Sequence, residues 1–197
     1  MGAAPHDHDT SRHRIAQAAY ACMARDGVGR VTVEGIAREA GVARATVYRV
    51  FPGGRDELVS AGITLAVVEF FAGLRADIGE VADVTTLLEA GLVAARRRLD
   101  DHEVLQRLLQ AEAGQIVPQL AQIMPAVVDL LRAELASRLE TERLRPGVEV
   151  DEAADLLARL SLSLIGTPGG WDMDDPAAVR RLVRGQLLAG VLDTVDA

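Results

Sequence analysis

Arg44, Thr46, Tyr48 and Arg49 crowd into a single short stretch, and together their side chains suit contact with a nucleic-acid duplex. An arginine can fork onto the two major-groove acceptors of guanine and a threonine methyl can touch thymine. Hydroxyls or a second arginine can hold phosphate oxygens. Such contacts require the four to share one exposed face. Val47 and Val50 are interleaved with them at the positions that would turn inward on a helix. A surface arginine is more often merely solvated, so the elements that would present these residues carry the argument.

Those elements are legible just upstream. Thr32 can accept the orphan N–H groups of a helix start, and Glu34 in the first turn faces the positive end of the helix dipole. Val33, Ile36, Ala37 and Ala40 then recur at three- and four-residue intervals, and Gly41 supplies the left-handed position that commonly ends a helix. A second short helix can run from Ala43 to about Val50. Two short helices meeting through a tight glycine turn form a helix-turn-helix, whose second helix enters the major groove. The charge distribution agrees. The chain has a net charge of −8 over 197 residues. Between Ser11 and Arg55, however, the arginines at 12, 14, 25, 30, 38, 44, 49 and 55 face only Asp26, Glu34 and Glu39, so attraction for phosphate sits at one end of an otherwise acidic protein.

The stretch Thr32–Leu58 resembles the TetR-type (TetR/AcrR) transcriptional regulators. The shared pattern is Thr-Val-x-x-Ile-Ala-x-x-Ala-Gly-Val, then x-x-x-x-Val-Tyr-x-x-Phe, then Asp-Glu-Leu. By position, the resemblance puts Thr32, Arg44, Ala45, Thr46, Tyr48 and Arg49 where the family touches DNA, with Arg55 near its usual basic residue at the start of the fourth helix. Three departures stand out. Ala43 replaces a frequent capping serine, Val50 replaces a frequent histidine, and the link from Phe51 to Arg55 is one residue longer. The fold implied is all-α with about nine helices. A polar arm over 1–10, expected to be disordered, precedes a three-helix helix-turn-helix domain over 11–54 and a ligand-binding and dimerising domain over 55–197.

Outside the motif, the pattern predicts a helix over Ser11–Asp26, a long helix from Arg55 to about Ala76, and helices over Thr85–Leu99 and His102–Gln115. The next helix starts either near Pro118, with a kink, or at Pro125, and runs to about Arg143. Asp151–Gly166 and a last helix from Pro176 through Val191 are apolar over more than one face, which suggests a subunit seam built as a four-helix bundle. Leu157, Leu160, Leu164, Leu182, Gln186 and Leu187 are its candidate residues. The resemblance also implies a small-molecule pocket among the central helices. Its candidates are Phe70, Phe71, Leu74, Leu105, Leu109, Ile123, Met124, Val127 and Trp171, and their apolar character points to an apolar inducer. The long helix joins the two domains rigidly, so a swing of it would change the separation of two recognition helices in a dimer.

Other chemistries find little support. His13 and His102 lack partners at metal-ligand spacing, and there is no Gly-rich phosphate loop or Gly-x-Ser-x-Gly elbow, so neither an enzyme nor a cofactor is expected. His6-Asp7-His8-Asp9 has nothing to hold it as a metal site. Arg96-Arg97-Arg98 reads as a solvated helix end. The lone Cys22 excludes an internal disulfide. No apolar run approaches the ~20 residues of a membrane span, and no secretory leader is evident, so a cytoplasmic protein is expected. The expected function is a homodimeric regulator of a palindromic operator in double-stranded DNA, with repression relieved by the ligand. The competing reading is a helical ligand-binding or interaction protein whose module no longer reads DNA.

Overall fold

The computed structural model describes residues 5–101, 113–167 and 169–193. All regular elements among them are helical: α1 (Pro5–Asp26), a 3-10 turn (Val28–Arg30), α2 (Val33–Glu39), α3 (Arg44–Val50), α4 (Gly54–Ile78), α5 (Val84–Asp101), α6 (Ala113–Leu139), α7 (Val150–Gly166) and α8 (Pro176–Leu182), the last continued by a π-helical turn (Val183–Leu187). The described residues fall into two compact units. The first extends to Ala72 and includes the segment ending at Ile123; the second comprises Gly73–Asp101 and Met124 onward. The first unit thus takes in most of α4 as well as residues 11–54.

The first unit is organised by α1. Ile15, Ala18, Ala19, Cys22 and Met23 form its buried face, and the helix starts at Pro5, within the segment expected to be a disordered arm. Gly27, with φ of 84°, ends it. An ion pair from Arg25 to Glu39 at 2.9 Å fixes the end of α1 to the end of α2. Leu58, Val59 and Ile63 of α4 complete the core. Gly62 sits where α4 packs closely on α1: a Cβ there would lie 2.6 Å from Met23 Cε and 3.0 Å from the backbone nitrogen of Tyr20. The methionine tip can move, but the α1 backbone cannot. Gly62→Ala should therefore destabilise the protein by ~1–3 kcal/mol through overpacking, read as a lower denaturant midpoint.

By length and composition α4 could cross a membrane, with a mean hydropathy of 1.7, so the expectation that no run approaches that length needs correction. Its buried Leu58, Val59 and Ile63 pack into the core around the helix-turn-helix.

In the second unit, Val84, Leu88 and Leu92 of α5 pack with Val128, Leu135 and Leu139 of α6, Ala154, Leu157 and Ala158 of α7, and Val179 and Leu182 of α8. Asp83 opens α5 by accepting a hydrogen bond from the Thr86 amide at 2.8 Å. Asp175 opens α8 by accepting from Ala177 and Ala178, with Pro176 in the first turn as its sequence position predicts. The last helix is shorter than expected. The Leu188 amide reaches back to the Val183 carbonyl at 2.9 Å, a widened turn that leaves Val183, Leu187, Leu188 and Val191 all buried. Gly185 and Gly190 favour such a break, since glycine is a poor helix former.

Two further differences concern α6. It runs unbroken through both Pro118 and Pro125, from a start five residues before the first of them, and it ends at Leu139, short of Arg143. Each proline forfeits one ladder donor, a loss the neighbouring bonds of a 27-residue helix absorb. The helix expected over His102–Gln115 lies for the most part outside the described residues.

Candidate nucleic-acid interface

The two short helices are built as their residues dictate. Thr32 Oγ1 accepts from the Gly35 amide at 3.1 Å, capping α2. Val33, Ile36, Ala37 and Ala40 are buried beneath it. Gly41 adopts φ of 64°, and the Val42 amide closes the turn on the Ala37 carbonyl at 3.0 Å. Only glycine takes that backbone conformation without strain. Val47, Val50 and Phe51 then anchor α3, each essentially inaccessible.

With that face fixed inward, Ala43, Arg44, Ala45, Tyr48 and Arg49 stand exposed, with Thr46 half-buried between them. Ala43 occupies the N-cap of α3 with extended backbone and no side-chain bond. Ala43→Ser would supply the missing acceptor and should stabilise the domain by ~1 kcal/mol, visible as a raised Tm.

Arg44 is held from two sides. Its Nη1 meets Glu34 Oε1 at 2.6 Å, its Nη2 donates to the Tyr48 hydroxyl at 3.3 Å, and its guanidinium lies 5.3 Å from the centroid of the Tyr48 ring. The bond to Tyr48 and then the charge of Glu34 hold the guanidinium still more firmly in its cationic form. Glu34, noted in the sequence only for its place near the helix dipole, is thus part of the site. Complementary charge on either side of the Gly41 turn was the available signal. Arg49 is exposed, with no ion pair to other described residues.

Two further arginines of this region donate to main-chain carbonyls. Arg55, expected to hold a phosphate, donates from Nη2 to the Val28 carbonyl at 2.7 Å and from Nε to the Val31 carbonyl at 3.1 Å, and its Nη1 meets Asp56 at 3.2 Å. Its donors staple the 3-10 turn to the start of α4. Arg12 donates to the Val50 carbonyl at 3.0 Å and stacks 4.4 Å from the centroid of Phe51. It therefore caps the C-terminal end of α3, where carbonyls lack partners.

The residues expected to enclose a ligand are divided between the units. Phe70, Phe71 and Ile123 belong to the first; Leu74, Met124, Val127 and Trp171 belong to the second. Leu105 and Leu109 lie outside the described residues. Phe70 and Phe71 meet edge to face at 5.3 Å, Leu74 and Val127 are buried, and Trp171 is exposed. Within the second unit an open groove of about 570 Å³ lies between the end of α4, α5 and the start of α8. Ile78, Ala90, Val93, Ala94 and Val179 give it apolar walls, and none of the expected ligand residues lines it.

The expected seam residues also divide. Leu157, Leu182 and Leu187 are buried within the single chain, because α5, α6, α7 and α8 enclose them in one core, so they are not available to a second subunit. Leu160 and Gln186 are exposed and Leu164 is half-buried. Leu156, not singled out from the sequence, is 53% exposed one turn before Leu160.

Residues 15–61 match the family described as bacterial regulatory proteins, tetR family. An uncharacterised HTH-type transcriptional regulator of Mycobacterium bovis is 29% identical over 136 residues, which is 68% of this chain and 69% of the relative. Among solved structures, GusR of Salmonella enterica superposes with a TM-score of 0.60 at 22% identity, over 92% of this chain and 95% of that one. SmeT in complex with triclosan gives 0.58 at 22%, over 94% and 93%. NalD, the secondary repressor of the MexAB-OprM efflux pump in Pseudomonas aeruginosa, gives 0.54 at 21%, over 96% and 99%. These structures share the fold. The matched segment spans the capped α2, the Gly41 turn and the exposed face of α3, so residues 15–61 form a helix-turn-helix module similar to that of the bacterial tetR-type regulators.

Proposed function

We propose that this chain is a repressor that binds a palindromic operator as a homodimer and is released by a small, largely apolar molecule. The observation that carries the reading is the α3 face, where Arg44, Ala45, Tyr48 and Arg49 stand exposed around an inaccessible Val47 and Val50. Arg44 and Thr46 read base edges, while Thr32, Tyr48 and Arg49 hold phosphates. Two copies would present their recognition helices about one DNA turn, ~34–36 Å, apart.

Exposed Leu156 and Leu160 on α7 support a subunit seam, since neighbouring apolar side chains on one helix face are characteristic of association surfaces. That NalD is a repressor and that SmeT was solved with triclosan support the repressing sign and a hydrophobic effector. Such an effector works only as far as it binds the released state more tightly than the DNA-bound one.

Selection of bound sites from random duplexes tests the reading without a prior operator. The expected product is an inverted repeat with half-sites centred ~10 base pairs apart. Recovery of no enriched sequence would count against it.

A further inference from the structure

Arg44 meets a carboxylate before it meets DNA. Its Nη1 is 2.6 Å from Glu34 Oε1, and both side chains are more than half exposed on the surface that presents α3. Neither is needed by the core: Ile36, Ala37, Val47 and Val50 hold α2 and α3 together beneath them. The α2 start has its own cap in Thr32. The pair therefore has little to do for the fold, and a solvent-exposed ion pair is in any case worth little to stability.

On DNA the same pair matters more, because Glu34 cancels the charge of the arginine placed to read a base. We propose that Glu34 is an intramolecular competitor for Arg44, keeping that arginine from phosphates on arbitrary duplex and yielding it only where a guanine edge offers two acceptors in its place. This rests on the assignment of α3 as the recognition helix. While the pair is closed, Arg44 and Glu34 together are neutral and displace no counterion. Once Arg44 turns to a base, Glu34 is left facing the duplex, a cost that only a good fork onto guanine offsets. Tyr48, which accepts from the other guanidinium nitrogen at 3.3 Å, keeps the side chain over α3 during the exchange.

The test is Glu34→Gln in the full-length protein, measured by fluorescence anisotropy on a random duplex and on the selected operator at several salt concentrations. The freed Arg44 then takes a phosphate on random DNA. Affinity there should rise about two- to fivefold, and the slope of log K against log salt should steepen by about 0.9 for each subunit. The gain should largely vanish when Glu34→Gln is made in an Arg44→Ala background. An equal gain in both backgrounds would show Glu34 to be only a repulsive charge and would overturn the competition. A fall in operator affinity with random DNA unchanged would show that Glu34 supports Arg44, and would overturn it as well. If wild type binds no duplex at all, the assignment of α3 fails first and the inference falls with it. Should Glu34→Gln lower the Tm, Glu34→Asp provides a second measurement: its shorter side chain keeps the charge but loosens the pair, and random-duplex affinity should then lie between those of wild type and Glu34→Gln.

Discussion

Arg44→Ala is expected to cost ~1–3 kcal/mol of operator affinity and to relax the preference at one base pair in each half-site. The residue is exposed at the start of α3, and truncation removes both the fork and the contact with Tyr48. It also leaves the Glu34 carboxylate unpaired on the binding face, so a smaller loss should appear on random duplex too. The informative quantity is the ratio of the two losses, measured at one fixed salt concentration. Equal losses on operator and random DNA would remove the reading role of Arg44. Arg49→Ala serves as the contrast, because a phosphate contact should weaken all sequences alike and shallow the salt dependence.

The other large effect concerns association. Leu156 and Leu160 are 53% and 38% exposed on α7, so replacing both by aspartate leaves the buried core of the chain untouched. In a subunit seam the same substitution buries two unpaired charges from each subunit, which is prohibitive. Light scattering should show the variant at the mass of one chain. Operator affinity should fall by on the order of a hundredfold or more, because the second half-site then no longer profits from the tether supplied by the first. A variant that remains dimeric and binds normally would move the seam elsewhere.

The helix-turn-helix was legible in the sequence because its signals are local. A capping threonine, an apolar stripe and a glycine with forced positive φ all act within one or two turns, and α2 and α3 lie within a residue or so of where those signals put them. What long side chains do across sequence gaps was hidden. Arg12 reaches the carbonyl of Val50 and Arg55 that of Val28, and no spacing rule announces a contact over nearly thirty residues or more. The C-terminal half was readable as helices but less so as faces. Leu157, Leu182 and Leu187 looked like surplus apolar surface, yet the four helices around them consume it. The π-helical turn after Leu182 also changed which residues point inward, since periodicity assumes an unchanging 3.6 residues per turn. The ligand-site expectations rested on resemblance and apolar character alone, which cannot separate a pocket wall from packed core.

The arginines of the N-terminal region are not one uniform reservoir of positive charge. Arg12 and Arg55 donate to main-chain carbonyls and also meet Glu57 and Asp56, Arg25 is neutralised by Asp26 and Glu39, and Arg44 by Glu34. Arg14, Arg30, Arg38 and Arg49 are exposed and make no ion pair with other described residues. Most of the ions driven off as a duplex approaches would come from around those four positions, so the long-range pull on DNA is set by a few scattered points, while the guanidiniums of Arg12 and Arg55 serve as internal mortar.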